Sequence, residues 1–292
     1  MNPPSLLERL VRRFKKTLSA LFFIDQWVIM TGRDLEYDRL QWSAFRPLIP
    51  EKDRYWADPF SVHKEDRYYV FVEEKMYATG LGRIVCLTLD PQGSLLSSQV
   101  VLERPYHLSY PFIFEFRGET YMLPETAANR TLELYQATRF PDQWQLAKTL
   151  MTNLYAVDAT LLEYNHKWWL FVNIKEEGAS SLDALHLFYA DDPLADQWLP
   201  HPRNPVVKDI RSARSAGRIF MREGKLIRPS QDSSRRYGYA LKFNRILNLD
   251  ELDYQEITET EFRPHGRNIL AIHTFNRAGE LTVIDAVVRR HR

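Results

Sequence analysis

An all-β fold, a five-bladed β-propeller with an N-terminal amphipathic helix, is what this sequence predicts, on three observations. A unit of about 50 residues recurs four times and returns, less regularly, a fifth time. Each unit alternates apolar and polar residues in short runs joined by turn residues, the pattern of half-buried strands. Marked positions hold a constant spacing inside the unit. Self-similarity at this period, in segments that are strand-like throughout, is the signature of propeller blades.

The first unit opens at Arg54-Tyr55-Trp56-Ala57-Asp58-Pro59-Phe60 and closes its inner hairpin at Glu73-Glu74. Similar openings follow at Ser109-Tyr110-Pro111-Phe112, Val157-Asp158-Ala159-Thr160 and Arg214-Ser215-Ala216-Gly217. From Asp58 to Tyr110, Asp158 and Ser215 the steps are 52, 48 and 57 residues, and in each unit a polar residue (Glu73, Glu125, Asn173, Ser230) stands 15 positions after the opening. The fifth copy runs from His273-Thr274-Phe275 to Val283-Ile284-Asp285. Outer hairpins are expected at 84–89 with 98–102, 131–137 with 144–150, 185–190 leading to Trp198, and 237–243 with 254–258. The excess before Asp58 is expected to supply a strand that closes the ring, because open sheet edges invite aggregation.

Residues 1–26 form a separate N-terminal segment and 27–292 the propeller. Over residues 5–22, Leu6, Leu7, Leu10, Val11, Phe14, Leu18 and Leu21 fall at helical spacing, with Arg9, Arg12, Arg13, Lys15 and Lys16 on the remaining face. Ser5 and Glu8 make a capping box at its start. Such a basic amphipathic helix either lies among anionic headgroups or packs on protein. The cations interrupt every apolar run, so neither export nor a membrane span is expected; the expected location is cytoplasmic, peripheral at the inner face of a membrane through residues 5–22. The single cysteine, Cys86, excludes an intramolecular disulfide and fits a reducing compartment. A formal charge of +1 with mixed signs gives no case for nucleic acid. Neither a glycine-rich phosphate loop nor a His/Cys cluster appears, so no cofactor or metal is expected.

Inner strands of a propeller line its channel, so the openings and closings of the inner hairpins converge at one mouth. That ring comprises Asp58, Glu73, Glu125, Asp158, Asn173, Gln231, Asp232 and Asp285. Convergent carboxyls suit glycosidic chemistry, in which one acts as nucleophile or base and a second, held protonated, serves the leaving oxygen. Asp58 is the candidate base, Glu125 the acid and Asp158 the modulator. Asp58 equally fits a turn aspartate, Glu125 an exposed loop residue and Asp158 a cap. Arg211, Arg214 and Arg228 offer a clamp for a phosphate or sugar carboxylate, or else pair the acids. Trp56, Glu73, His107, Tyr110, His201, Asn204, Gln231, Asp232, Tyr237 and His273 complete the expected substrate-binding set.

At Tyr55-Trp56-Ala57-Asp58-Pro59-Phe60, His107-Leu108-Ser109-Tyr110-Pro111-Phe112, Tyr121-Met122-Leu123-Pro124-Glu125-Thr126, Trp168-Trp169-Leu170-Phe171, His201-Pro202-Arg203-Asn204-Pro205-Val206 and Arg228-Pro229-Ser230-Gln231-Asp232 the chain resembles the N-terminal domain of plant glucosamine inositolphosphorylceramide transferases and their bacterial relatives. It is similar, more distantly, to the five-bladed arabinanase, β-xylosidase and invertase superfamily. That resemblance implies Asp58 as base or nucleophile, with Glu125 as acid and Asp158 as modulator. The second blade departs from it, opening with Tyr110-Pro111 where invertases have an aspartate before proline. The plant proteins also carry a glycosyltransferase domain, which implies a partner glycosyltransferase for a propeller acting alone.

Three functions follow. The first is a glycosyl-transfer enzyme of cell-surface glycan or glycolipid assembly, taking a sugar or sugar-phosphate substrate. The second is a hydrolase or phosphorylase, and the third a non-catalytic glycan-binding module.

Overall fold

The computed structural model describes residues 22–175, 178 and 180–291. The helix expected over residues 5–22 lies outside the described residues but for Phe22, and among those described no helix is long and apolar enough to cross a membrane. Strand structure begins ahead of the boundary expected at 27, with β1 (Phe23–Arg33) and then β2 (Arg46–Leu48). The first blade is β3 (Arg54–Lys64), β4 (Arg67–Met76), β5 (Gly82–Leu89) and β6 (Leu95–Leu102). The second is β7 (Ser109–Phe116), β8 (Glu119–Thr126), β9 (Thr131–Arg139) and β10 (Gln143–Thr152). The third holds β11 (Ala156–Tyr164), β12 (Lys167–Ile174), β13 (Ala184–Ala190), β14 (Leu199–Pro200) and β15 (Val207–Lys208). The fourth comprises β16 (Phe220–Arg222), β17 (Lys225–Asp232), β18 (Ala240–Leu249) and β19 (Tyr254–Phe262). In the last blade β20 (Ile269–Ala271) and β21 (Phe275–Ala278) lie one after the other along one edge of β22 (Leu281–His291), and the two outer strands, on its other edge, are β1 and β2.

The ring therefore closes as expected, through strands from both ends of the described chain. β1 pairs antiparallel with β22 from Phe23↔His291 to Arg33↔Leu281. Gln26, fully buried on β1, donates its amide to the carbonyls of Glu51 (2.7 Å) and Arg54 (2.6 Å), which ties the closing blade to the entry of the first. Apolar cores fill the spaces between neighbouring blades. One joins Phe60 and Phe71 to Phe112, Leu134 and Trp168; another joins Trp169 and Phe171 to Leu226 and Tyr254. Each such fully buried large apolar side chain contributes roughly 1.5–3 kcal/mol by area.

Two irregularities have direct causes. The outer edge of the third blade is split into β14 and β15 because Pro202 and Pro205 have no N–H to extend a ladder. Asn204 fills the gap as a surrogate strand residue: its Oδ1 accepts the Leu187 N–H at 2.7 Å and its amide donates to the Leu187 carbonyl at 2.8 Å. His201 beside it faces the Asp250 carbonyl at 3.1 Å. These two residues, expected to bind substrate, hold blade edges together instead. In the fourth blade the inner strand shrinks to β16 plus one bridge, Ser215↔Ser230, because Gly217 (φ +126°) lets the last blade approach so closely that a Cβ there would lie 2.0 Å from the Phe275 carbonyl oxygen.

Candidate active site

Three of the repeat openings share a backbone feature. Asp58 (φ +52°), Tyr110 (φ +43°) and Asp158 (φ +52°) are left-handed, and the ladder of each inner hairpin slips at that point, between Ala57 and Phe60, Ser109 and Phe112, and Val157 and Thr160. Aspartate tolerates this conformation, whereas tyrosine does so only where its surroundings enforce it. Each bulge turns its residue toward the neighbouring blade, and the result is a belt of cross-blade bonds. The Asp58 N–H donates to Asp285 Oδ2 (3.0 Å), the Tyr110 N–H to Asp58 Oδ2 (3.2 Å), and the Ser215 N–H to Asn173 Oδ1 (3.2 Å).

The closing positions supply most of the bridging side chains. Asp285 reaches from the last blade to the first, and Asn173 from the third to the fourth. Glu73 joins the first blade to the second through His107: the Gly82 N–H donates to Nδ1 (2.8 Å), so the proton lies on Nε2, 3.3 Å from Glu73 Oε1. Tyr55 donates to the same oxygen at 3.0 Å. Glu125 holds the equivalent position in the second blade, half-buried, and its carboxyl makes no side-chain hydrogen bond or ion pair among the described residues.

Electrostatics separate these groups. Burial lifts the Glu73 carboxyl to about 8, with Asp58 adding to the effect. Burial likewise raises Glu125 well above the carboxylate range, reinforced by Asp158, Asp58 and Glu73 and opposed by Arg214. Asp58 is lifted by burial only to about 6, because the His273 cation pulls it back. For His273, burial favours the neutral ring, but Asp285 and Asp58 outweigh it and raise the imidazolium to about 9. Its Nδ1 lies 2.6 Å from Asp285 Oδ2 and 3.7 Å from Asp58 Oδ1; Trp27 stacks on the ring at 4.1 Å and Tyr237 meets it edge-on at 5.3 Å. Thr274 donates to Asp58 Oδ1 at 3.0 Å. The mouth thus sets Asp58, held down by His273, against two carboxyls, Glu73 and Glu125, that burial pushes toward the protonated form: a candidate base and candidate acids set apart by environment.

Asp158 is committed elsewhere. Arg214 Nε lies 2.5 Å from its Oδ2, and the Gln231 amide donates to the same oxygen at 3.0 Å. Arg214 also lies 5.1 Å from the centre of the Tyr237 ring, which is 44% exposed and so lines the mouth. Tyr110 fills the channel below: its hydroxyl meets Thr160 Oγ1 (2.9 Å) and accepts the Gly217 N–H (2.8 Å), spanning three blades. Asp58, His273 and Asp285 place ligand atoms within 4.8 Å of one another, the one such group among the described residues. The His273–Asp285 hydrogen bond and two backbone N–H bonds to Asp285 Oδ1 already hold it, so a cation would have to displace a proton.

The remaining expected residues lie elsewhere. Arg228 is buried against Glu256 of β19 (2.6 Å), and Arg211 is exposed on Asp209 (2.8 Å), so only Arg214 of the three arginines reaches the carboxyls. Asp232 binds the Ser234 hydroxyl at 2.6 Å. Trp56 is buried between the first and last blades, with its indole N–H on Glu74 at 3.0 Å. Tyr55, Thr274 and Trp27 were missed. Strand alternation counted back from Asp58 selects Trp56; the bulge at Asp58 breaks that parity and puts Tyr55 on the mouth side.

Fold and site together define a five-bladed propeller with a carboxyl-lined mouth. The chain is similar to Zg3597, a family 117 glycoside hydrolase of the marine bacterium Zobellia galactanivorans, with a TM-score of 0.58 and 11% identity over 90% of each chain. It is equally similar to the catalytic domain of Coprinopsis cinerea GH62 α-L-arabinofuranosidase, with a TM-score of 0.58, 12% identity, and coverage of 89% of this chain and 97% of that one. At such identity the likeness is one of fold. Sequence is narrower: residues 50–271 match the family Glucosamine inositolphosphorylceramide transferase 1, N-terminal, and the chain belongs to it. Over 205 residues it is 37% identical to glucosamine inositolphosphorylceramide transferase 1 of Oryza sativa subsp. japonica, covering 69% of this chain and 27% of that protein. The Arabidopsis thaliana protein of the same name is 34% identical over 205 residues, with 69% and 26% covered. The chain spans about a quarter of the length of these relatives.

Proposed function

We propose that the chain is a carbohydrate-active enzyme that transfers a glycosyl group in the assembly of a cell-surface glycan or glycolipid. Asp58 serves as the base or nucleophile and Glu125 as the acid. The observation that carries this reading is the Glu125 carboxyl: raised by burial, and unbonded where the equivalent side chains of three other blades bridge to a neighbour. A protonated carboxyl free of the protein is what a leaving oxygen needs. Arg214, whose charge already meets Asp158, orients that carboxylate and offers Tyr237 and its own outer face to a sugar or its phosphate. Transfer, in preference to hydrolysis, rests on the family's name and on the basic pattern of residues 5–22, which also supports a place at the cytoplasmic face of a membrane.

The test is turnover of a panel of nucleotide-activated sugars, UDP-N-acetylglucosamine among them, and of aryl glycosides. Glu125→Gln and Asp58→Asn should each lower turnover by about 10²–10⁴ while ligand affinity stays within a few-fold. Unchanged turnover in both variants sinks the assignment. A second reading, a glycan-binding module, is favoured by the Tyr110 plug and by the neutralised Asp158. It prevails if no substrate of the panel turns over and binding survives both substitutions.

A further inference from the structure

A second charged site lies at the opposite end of the channel, where the inner hairpins turn. A cavity of about 300 Å³ opens there between the fourth and fifth blades, with Phe220 and Phe275 on its apolar side. Three arginines line it, Arg218, Arg222 and Arg277, against a single carboxylate, Glu36. Arg222 and Arg277 share one oxygen of that carboxylate, at 3.1 and 3.2 Å. Arg218 has none. It reaches across the channel to donate to the Ile113 carbonyl and lies over the Phe112 ring at 5.0 Å, and among the described residues no carboxylate pairs with it. Burial without an opposing charge pulls it down to about 10. The lining residues thus carry two positive charges in surplus, part of which Glu223 at the rim, 3.9 Å from Arg222, offsets.

An uncompensated cation in an enclosed position is costly unless something neutralises it. We propose that this cavity binds a small organic phosphate: a phosphomonoester dianion, at about −1.5 to −2, matches the surplus charge, and the two phenylalanine rings accept an apolar portion. Arg218 supplies the charge from the channel side, and Arg222 and Arg277 close on the phosphate from the rim, where planar guanidiniums make paired N–H···O bonds. The site is separate from the mouth and independent of the chemistry proposed there.

Thermal unfolding of the whole chain with inorganic phosphate or phenyl phosphate, at ionic strength balanced with chloride, is the experiment. A saturable rise in Tm is expected, with phenyl phosphate saturating at lower concentration. Arg222→Gln and Arg277→Gln, both on partly exposed side chains and so compatible with folding, should each raise the half-saturating concentration at least tenfold. Asp58→Asn at the mouth should leave it unchanged. The proposal is overturned if no saturable rise occurs, if the rise survives the Arg222→Gln/Arg277→Gln double variant, or if Arg214→Gln abolishes it, which would place the anion at the mouth. Equal affinity for the two phosphates would overturn the organic ligand.

Discussion

Glu73 and Glu125 occupy the same repeat position, yet one is bonded by Tyr55 and His107 and the other is not. Glu73 also links pH to stability. Its carboxyl rises from an ordinary 4.5 to about 8, so the folded chain holds a proton that the unfolded chain releases between those values. The stability tied to that proton is fully present below about pH 4.5 and is lost as pH rises through about 8. His273, raised from 6.5 to about 9, adds a loss in the same direction at higher pH. Melting temperature should therefore fall from pH 5 to 9, and Glu73→Gln should flatten the part of the slope below pH 8; an unchanged slope in that variant would refute the assignment. The sequence showed Asp58, Glu73, Glu125 and Asp158 because they fall at fixed repeat positions. It hid the roles of Arg211 and Arg228, since an arginine's long stem reaches whichever carboxylate the fold brings near, and neither Glu256 nor Asp209 stands at a repeat position.

At the scale of strands, the alternation and the turn residues located both hairpins of the first two blades. Alternation could not show that Tyr110 would leave its ladder at a bulge and cross the channel. Tyr110→Phe keeps the ring but leaves the buried Gly217 N–H without its acceptor and the Thr160 hydroxyl without this partner. It should cost about 1–3 kcal/mol in denaturant unfolding. Gly217→Ala should cost more than about 3 kcal/mol, because its Cβ would collide with backbone at 2.0 Å and the positive φ disfavours any side chain. Wild-type stability in either variant would contradict the packing described for the fourth blade.

For the molecule as a whole, the joint between β1 and β22 is what makes a ring of five separate sheets. Gln26→Ala removes two donations to the carbonyls of Glu51 and Arg54 beside that joint, and a loss of about 1–3 kcal/mol is expected, measured by chemical unfolding. A loss near zero would mean that solvent replaces the amide there. The joint also sets an order of events during synthesis. Translation runs at about 5–20 residues per second, and domains fold as their segments emerge. β1 leaves the ribosome with Val28, Ile29 and Met30 destined for burial, but its long partner β22 begins only at Leu281. On the order of ten to fifty seconds separate the two. For that interval β1 has only the short β2 to pair with and leaves its other edge open, while the four sheets that do not include it take shape behind it.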